Sequence, residues 1–242
     1  MADNATISGL GTDIVVSVAD PVLLDRAVEH TAAVAARLDA TVNRDCGSAE
    51  IEAVDLANGQ PVLVSSLLDQ LIIEALYFAD LTDDASGVVH CPDTDPPIPA
   101  WHRVQLGRGT VTVPAGGRLE LMTTARAFLA DRTSRLLTDT LDGPVTVQAG
   151  PVISSAGGAL AQVGSADLAA IDQRRTATTL DCVSVVADSA ALAFAAAVMA
   201  HRHPDDAARW LHDHVRAAKL ESRRHTLTTV GAWPVAEHAL VA

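Results

Sequence analysis

Aromatic side chains are scarce in this chain, since Phe, Trp and Tyr make up only 3% of its 242 residues. The hydrophobic fraction is still 49%, which is ample for one sizeable core, or for two small ones that share a sheet. Alanine, valine and leucine must therefore fill that core. The sequence predicts one domain over residues 1–242, with a subdomain border in the proline-rich loop at 91–100.

Positive charge is also in short supply. The chain has 17 Lys and Arg and 30 Asp and Glu, which gives a formal net charge of −13. A nucleic-acid partner requires a basic surface, and anionic lipids attract basic segments. The composition therefore argues against nucleic acid and membrane as partners, and an anionic ligand would need a local basic or dipolar pocket.

Cysteine is limited to Cys46, Cys91 and Cys182, which are far apart and odd in number. No Cys-x-x-Cys spacing is present, so neither a zinc site nor a disulfide framework is supported. The sequence predicts buried free thiols in a reducing cytosol.

The chain shows neither a leader-like start nor a long hydrophobic run. Its first residues, MADNATISGL, are polar, and no basic start precedes an apolar stretch. The longest apolar stretch, residues 190–200, is too short to cross a bilayer. These absences predict a soluble, cytoplasmic protein.

Hydrophobic periodicity predicts the elements of the first half. The β-branched segment 12–18 is typical of a strand, and Asp20-Pro21 indicates the start of a helix that runs to about Ala40. Residues 62–66 lead into a second helix. Its predicted buried stripe consists of Leu68, Leu71, Ile72, Ala75, Leu76 and Ala79.

The second half mixes strands with helices. Segments 102–106 and 110–114, joined by Gly107-Arg108-Gly109, predict a hairpin. The other expected elements are a helix at 119–132, a strand at 145–149, weak structure over 150–170, a strand at 181–187, a buried helix at 188–201, a helix at 203–219 and a strand at 225–231. Segregated helix pairs and hairpins indicate an α+β fold, with helices packed on a mixed or antiparallel sheet.

Common catalytic and metal motifs are missing. No GxGxxG, GxxxxGKS or GxSxG pattern occurs, so the dinucleotide-binding, P-loop and nucleophile-elbow classes have no support. Four histidines at 201, 203, 212 and 214 resemble a metal cluster. The two rings of each His-x-His pair point to different faces of a helix, so solvated helix-end histidines are favoured over ligands.

Five segments carry a further pattern, which lies in their order and spacing. They are L-G-T at 10–12 before a strand and a helix, N-R-D with S-A-E-I at 43–51, the hairpin and helix at 104–132, V-Q-A-G-P-V-I at 147–153, and the strand and helix at 182–200. Together they resemble the ApbE-type flavin transferases. Those enzymes cut FAD and attach FMN to a Ser or Thr of a target protein, using magnesium.

The resemblance implies a flavin site at the start of the 119–132 helix. In the family motif L-D-L-G-G-I-A-K-G-Y-A-x-D, the Asp and the Lys contact FAD, and a backbone carbonyl of the Gly-Gly pair meets magnesium. The matching positions here are Glu120, Arg126 and Thr123, which are the predicted cofactor-binding residues. Met122 and Thr123 replace two glycines, and their side chains obstruct the close approach that glycine allows.

The same resemblance implies that the magnesium ligands are lost. The family's A-D-A-L-A-T supplies a carboxylate and a hydroxyl at i and i+4, the oxygen donors that a hard cation needs. Phe194 and Val198 stand at those positions, and Val152 replaces the Asp of N-A-G-G-D-I, so no metal ligand is predicted. Of the family's H-x-x-D-P, Asp172 remains as the one candidate catalytic acid, with Ala169 at the His position.

Two hypotheses of function follow. The first is enzymatic: FAD-dependent flavin transfer, or a derived nucleotide chemistry, with FAD oriented by Glu120 and Arg126. The second is a diverged homologue without the magnesium-dependent activity. It would serve as a binding or scaffolding partner of a true transferase, or within a homodimer. The partners implied are a flavin nucleotide and a protein.

Overall fold

The largest sheet of the described chain is antiparallel and has eight strands. The computed structural model describes residues 3–91, 98–171 and 178–233. The strands of the sheet, numbered in chain order, are β1 (Asp3–Gly9), β2 (Thr12–Val18), β8 (Val145–Ala149), β9 (Val152–Ser155), β10 (Gly158–Gly164), β11 (Leu180–Ala187), β12 (Ala217–Ser222) and β13 (Leu227–Gly231). They neighbour one another in that order, and every neighbouring pair is antiparallel.

Five short strands lie outside this sheet. They form a three-stranded sheet in the order β3-β6-β5 and a separate β4-β7 pair. Their bounds are β3 (Val62–Leu63), β4 (Val89–His90), β5 (Gln105–Leu106), β6 (Thr110–Thr112) and β7 (Arg118–Leu119). Residues 92–97 lie outside the described chain, and most of the predicted subdomain border at 91–100 falls on them.

A layer of helices covers one face of the main sheet. The α-helices of the described chain are α1 (Leu24–Val42), α2 (Ile51–Leu56), α3 (Ser66–Thr82), α4 (Met122–Leu141), α5 (Ser165–Ile171), α6 (Ala190–Arg202) and α7 (Ala207–His214). The α1 helix packs on β1 and β2, α4 packs on β8 and β9, and α6 packs on β10 and β11. The α3 helix lies against α1, α4 and α6, and α4 also lies against α6, so α3, α4 and α6 all contact one another.

The α6 helix is the most deeply buried of these elements. Its sequence is almost entirely apolar, and 11 of its residues, Ala190 through His201 except Leu192, are buried. Small side chains on the sheet beneath it, at Ala159, Ala161 and Ala187, are fully buried and let the helix backbone approach closely. Two side chains cap its first turn: the Ser189 hydroxyl accepts from the Leu192 N–H, and the Asp131 carboxylate accepts from the Ala190 N–H.

The structure confirms the α+β fold and most of the predicted elements. The strand predicted at 12–18 is β2, and the helix that follows ends at Val42 instead of about Ala40. The α3 stripe is buried, except that Leu76 is half-buried. The hairpin of β5 and β6 also forms, although His102 and Arg103 belong to a 3-10 helix, Ala100–Arg103, and not to its first strand. The strand β1 has no counterpart among the sequence predictions.

The helix predicted at 119–132 begins later and runs further than expected. Leu119 belongs to β7, Glu120 precedes the helix, and α4 spans Met122–Leu141. The Glu120 N–H donates to the Val88 carbonyl at 2.8 Å, which holds this residue beside the β4–β7 pair in an extended conformation. The backbone bond to a distant segment therefore overrides the local helical pattern.

The prediction of weak structure over residues 150–170 was wrong. This segment forms β9, β10 and α5. Its glycines and alanines give little periodic signal, but they are the residues that fit under α6. The sheet ladder satisfies their backbone groups on both sides.

Two other expectations are corrected. The helix predicted at 203–219 ends at His214, because Ala217–Ser222 pairs with β11 as a central strand and not as a continuation of the helix. The three thiols are free, as predicted, but they are not buried. Cys46 is exposed, and Cys91 and Cys182 are half-buried.

None of the helices in the described ranges is long and apolar enough to cross a membrane.

Candidate functional site

A cavity of about 300 Å³ lies where α3, α4 and α6 meet. The turn between β8 and β9 and the first turn of α5 complete its wall. The polar side chains on this wall come from Ser86, Glu120, Thr123, Thr124, Arg126 and Asp167, and the apolar ones from Ala75, Phe78, Val88, Met122, Ala127, Pro151, Ala191, Phe194 and Ala195. We call this cavity the helix pocket.

Glu120 stands at the mouth of the helix pocket, with its side chain 52% exposed. Its carboxylate lies 4.0 Å from the Arg44 guanidinium. Arg44 in turn donates two hydrogen bonds to Asp55 and one to the Leu119 carbonyl. Burial alone would lower the pKa of Arg44, but its hydrogen bond and charge interaction with Asp55 reverse this and raise it. A fixed cation therefore supports the chain segment that carries Glu120.

Thr123 lies in the first turn of α4, half-buried, with Met122 before it. The Leu121 side chain gives no capping hydrogen bond at this end of the helix. The free N–H groups of a helix start carry partial positive charge, and Thr123 and Thr124 add hydroxyl groups there. This end of α4 can therefore donate hydrogen bonds to a ligand in the pocket.

Arg126 lies one turn further along α4 and links the pocket to the start of the chain. Its Nε donates to the Leu10 carbonyl at 2.9 Å, and a terminal nitrogen donates to the Gly11 carbonyl at 3.4 Å. These carbonyls belong to the tight turn between β1 and β2, where Leu10 and Gly11 have φ of +52° and +64°. On the other side of the turn, the Asp39 carboxylate accepts from the Leu10 N–H.

The charge of Arg126 has no counter-ion within the described ranges. Burial lowers the pKa of its guanidinium. Arginine nevertheless remains charged at neutral pH. A half-buried cation without a carboxylate partner, on the wall of a cavity, is suited to receive an anionic group.

The structure thus brings the three predicted cofactor-binding residues, Glu120, Thr123 and Arg126, to the wall of one cavity. Asp172, the predicted catalytic acid, lies outside the described residues. Its role as the catalytic acid remains a prediction.

Sequence reasoning missed Asp167, which also lines the pocket. It lies in the first turn of α5 and accepts from the Gly164 N–H at 2.8 Å. Because residues 150–170 were expected to have weak structure, Asp167 was not among the predicted site residues. The Asp two residues into a short apolar helix after Gly164-Ser165 is the signal that could have found it.

Phe194, Val198 and Val152, which the family resemblance sets at the positions of magnesium ligands, do not fit a hard cation. Phe194 lines the pocket and is 6% exposed, while Val198 and Val152 are fully buried among apolar neighbours. A hard cation requires oxygen ligands, and none of these side chains supplies one. Within residues 3–91, 98–171 and 178–233, no three His, Cys, Asp or Glu side chains come together as a metal site.

The four histidines of the 201–214 region have separate surroundings. The expectation that they are solvated is wrong for His201, which is fully buried, with Nε2 2.8 Å from the Val163 carbonyl. Burial lowers the pKa of His201, so the ring is neutral at pH 7. His214 is bonded to the Trp210 carbonyl and stacks on the Trp210 ring.

No family model matches the sequence, and no curated protein matches it. Solved structures do match. The ApbE protein of Thermotoga maritima superposes with a TM-score of 0.80 at 15% identity, covering 98% of this chain and 99% of that one. The apo flavinyl transferase ApbE of Pseudomonas stutzeri gives 0.76 at 12% identity, with coverages of 98% and 97%. The flavin transferase ApbE of Vibrio cholerae gives 0.70 at 12% identity, with coverages of 96% and 98%.

These matches span nearly the whole chain at low sequence identity. Together with the antiparallel sheet and its layer of helices, they show that the chain has the fold of the ApbE flavin transferases.

Proposed function

We propose that this protein binds a flavin nucleotide in the helix pocket and does not carry out magnesium-dependent flavin transfer. The observation that carries the proposal is that Arg126, which has no carboxylate partner among the described residues, and the Phe194 ring lie on the wall of one cavity. By the family resemblance, Phe194 stands at the position of a metal ligand. The cavity therefore offers a feature suited to an anion, and an apolar ring where the resemblance implies an oxygen donor.

Magnesium's contribution to the family's reaction explains why its loss matters. Cleavage of FAD leaves a charged phosphate group, and a divalent ion stabilises such developing charge by several kcal/mol. In this chain, Arg126 and the N-terminal turn of α4 would have to provide that stabilisation alone. Glu120 and Asp167 on the same wall add negative charge, which opposes it.

The runner-up function is enzymatic, either flavin transfer from FAD or another nucleotide reaction, with Asp172 as its acid. The presence of Glu120, Thr123 and Arg126 on one wall supports it. A third function, a scaffold for a true transferase or a homodimer, needs no ligand in the pocket.

One calorimetric experiment separates the three. FAD and FMN are titrated into the purified protein in buffer with EDTA and in buffer with Mg²⁺, and the FAD samples are then analysed for AMP and for protein-bound flavin. We expect binding of at least one of the two, with the same affinity in both buffers, and no AMP. Magnesium-dependent AMP release would establish the enzymatic alternative. If neither nucleotide gives a heat of binding, flavin binding is ruled out and the scaffold is the function that remains.

A further inference from the structure

The side chains that line the helix pocket are of two chemical kinds. The apolar ones include the rings of Phe78 on α3 and Phe194 on α6 and the thioether of Met122 at the start of α4. The charged ones are Glu120, Arg126 and Asp167. Flat aromatic rings and thioethers are favourable neighbours for a planar ring system, because stacking and sulfur contacts add to apolar burial.

The size of the cavity limits which ligands it can hold. Its volume of about 300 Å³ is at the lower end of the range of roughly 300–1,000 Å³ for small-molecule sites. That space suits one ring system with a short tail. A dinucleotide, with two ring systems and a diphosphate between them, would have to extend well beyond the wall.

The charges on the cavity wall set a second limit on the ligand. Arg126 is the cation on the wall, and Glu120 and Asp167 face the same space. Arg44 offsets part of the Glu120 charge from 4.0 Å, and the Gly164 N–H donates to Asp167. One guanidinium can pair with one anionic group. A diphosphate would bring a second charge close to these acids, without a divalent ion to neutralise it.

We infer that the pocket selects a planar aromatic ring with one anionic group, and that Phe194 and Arg126 together determine this selection. This inference rests on the proposed function and makes it more specific: among flavins, the single-phosphate form is preferred to the dinucleotide. Phe194 provides a surface for the ring in place of a metal ligand, and Arg126 receives the phosphate. Magnesium has no part in the recognition.

Three flavins with the same ring test the inference, since they differ only in the tail. Riboflavin has no phosphate, FMN has one, and FAD has a diphosphate with adenosine. Binding is followed by calorimetry with and without Mg²⁺. We expect FMN to bind about tenfold more tightly than riboflavin, the advantage of one charge-assisted contact. FMN should also bind more tightly than FAD, and Mg²⁺ should change none of the affinities.

Variants then assign the selection to the two side chains. Arg126→Gln should bring FMN to the affinity of riboflavin, whereas Arg209→Gln, at an exposed site on α7 outside the pocket, should leave FMN binding unchanged. Phe194→Leu should weaken all three flavins by a similar factor, because it removes the ring and keeps an apolar side chain. Circular dichroism of each variant shows whether the fold is kept, and the comparison of the three flavins on the unaltered protein requires no variant.

The outcomes distinguish this inference from the proposed function. Tighter binding of FAD than of FMN, or a gain in affinity with Mg²⁺, would overturn the inference and leave flavin binding intact. Failure of all three flavins to bind would overturn the proposed function, and the inference with it.

Discussion

The proposal of a pocket without magnesium depends most on Phe194. Its ring is 6% exposed and belongs to the buried cluster around α6, and Val198, one turn later, is fully buried. If these residues are part of the core, then placing at both positions the Asp and Thr that the family resemblance implies must destabilise the fold, because this buries a carboxylate and removes apolar contacts.

The double variant Phe194→Asp with Val198→Thr tests this. We expect it to lower the free energy of unfolding by about 3 kcal/mol or more, as measured by urea denaturation in EDTA. Phe194→Leu with Val198→Ile serves as the control, which keeps both sites apolar and should cost less. Unchanged stability of the Asp-Thr variant in metal-free buffer would show that position 194 is not part of the core.

Single residues also show the limit of reasoning from sequence. The positions of Glu120, Thr123 and Arg126 could be predicted, because the family motif is continuous along the chain. The partners of Arg126 could not, because Leu10 and Gly11 lie more than a hundred positions away. Leu10 is also fully buried in a turn with positive φ, where glycine or asparagine is the usual choice. No local pattern signals such a residue.

The helices α3, α4 and α6 meet at the helix pocket and also at a second place, around Asp131. The Asp131 carboxylate accepts from the Ala190 N–H at 2.8 and 2.9 Å, and from the Ser154 hydroxyl at 2.7 Å. Glu74 of α3 and Arg135 of α4 line a cleft together with Asp131. A change of charge in this cleft therefore acts on the junction of all three helices.

Glu74 should make the stability of the fold depend on pH. Burial, with the charge of Asp131 in second place, raises the pKa of Glu74 from 4.5 to about 7, against the opposing effect of Arg135. Burial also raises the pKa of Asp131, although its hydrogen bonds from Ser154 and Ala190 oppose this. Between the unfolded and folded pKa of Glu74, the folded chain holds more protons than the unfolded chain. Its contribution to stability is therefore complete below pH 4.5 and is lost as the pH rises through 7.

Glu74→Gln should remove this dependence. We expect the variant to be more stable than the unaltered protein at pH 8, by roughly 1–2 kcal/mol after allowance for partial exposure. The difference should shrink towards pH 5. The measurement is a series of urea denaturation curves from pH 5 to pH 8, with Glu29→Gln, at an exposed position on α1, as the matched loss of charge. A Glu74→Gln difference that is constant over this range would contradict the raised pKa.

The prediction of elements succeeded where one face of an element is buried and failed where tertiary contacts decide. The α1 and α3 helices show periodic apolar stripes, and β2 and β11 are β-branched, so local pattern and final structure agree. In contrast, Gly, Ala and Ser make up most of residues 150–170, and the larger apolar side chains among them follow no helical or strand period over the whole segment. Their strand structure comes from pairing with β11 and from packing under α6. The segment after His214 becomes a strand for the same reason.

At the scale of the whole molecule, the sheet order could not be predicted from the sequence. The strand β2 pairs with β8, whose residues follow more than a hundred positions later, and this pairing brings the Leu10-Gly11 turn next to α4. The pocket thus depends on the closure of a long stretch of chain. Composition did predict one property at this scale, a strong excess of negative charge, and this excess has a measurable consequence.

The net charge of −13 should make the fold more stable in salt. Like charges repel one another more strongly in the compact state than in the unfolded chain, and salt screens this repulsion over the Debye length. The pair of Arg44 with Asp55, at 2.7 Å, is partly buried and is screened much less. We therefore expect the thermal midpoint to rise by roughly 2–5 °C when NaCl is raised from about 0.02 M to about 0.5 M.

Thermal unfolding followed by circular dichroism checks this, and the choice of salt separates screening from other effects. NaCl and KCl should act equally at equal ionic strength, because screening depends on charge and not on the kind of ion. MgCl₂ at the same ionic strength should give no additional stabilisation if the proposal is right, since no group of three His, Cys, Asp or Glu side chains comes together in the part of the chain that the structure describes. A rise specific to Mg²⁺ would reveal a divalent-ion site, and a fall of the midpoint with NaCl would show that attractive pairs outweigh the repulsion.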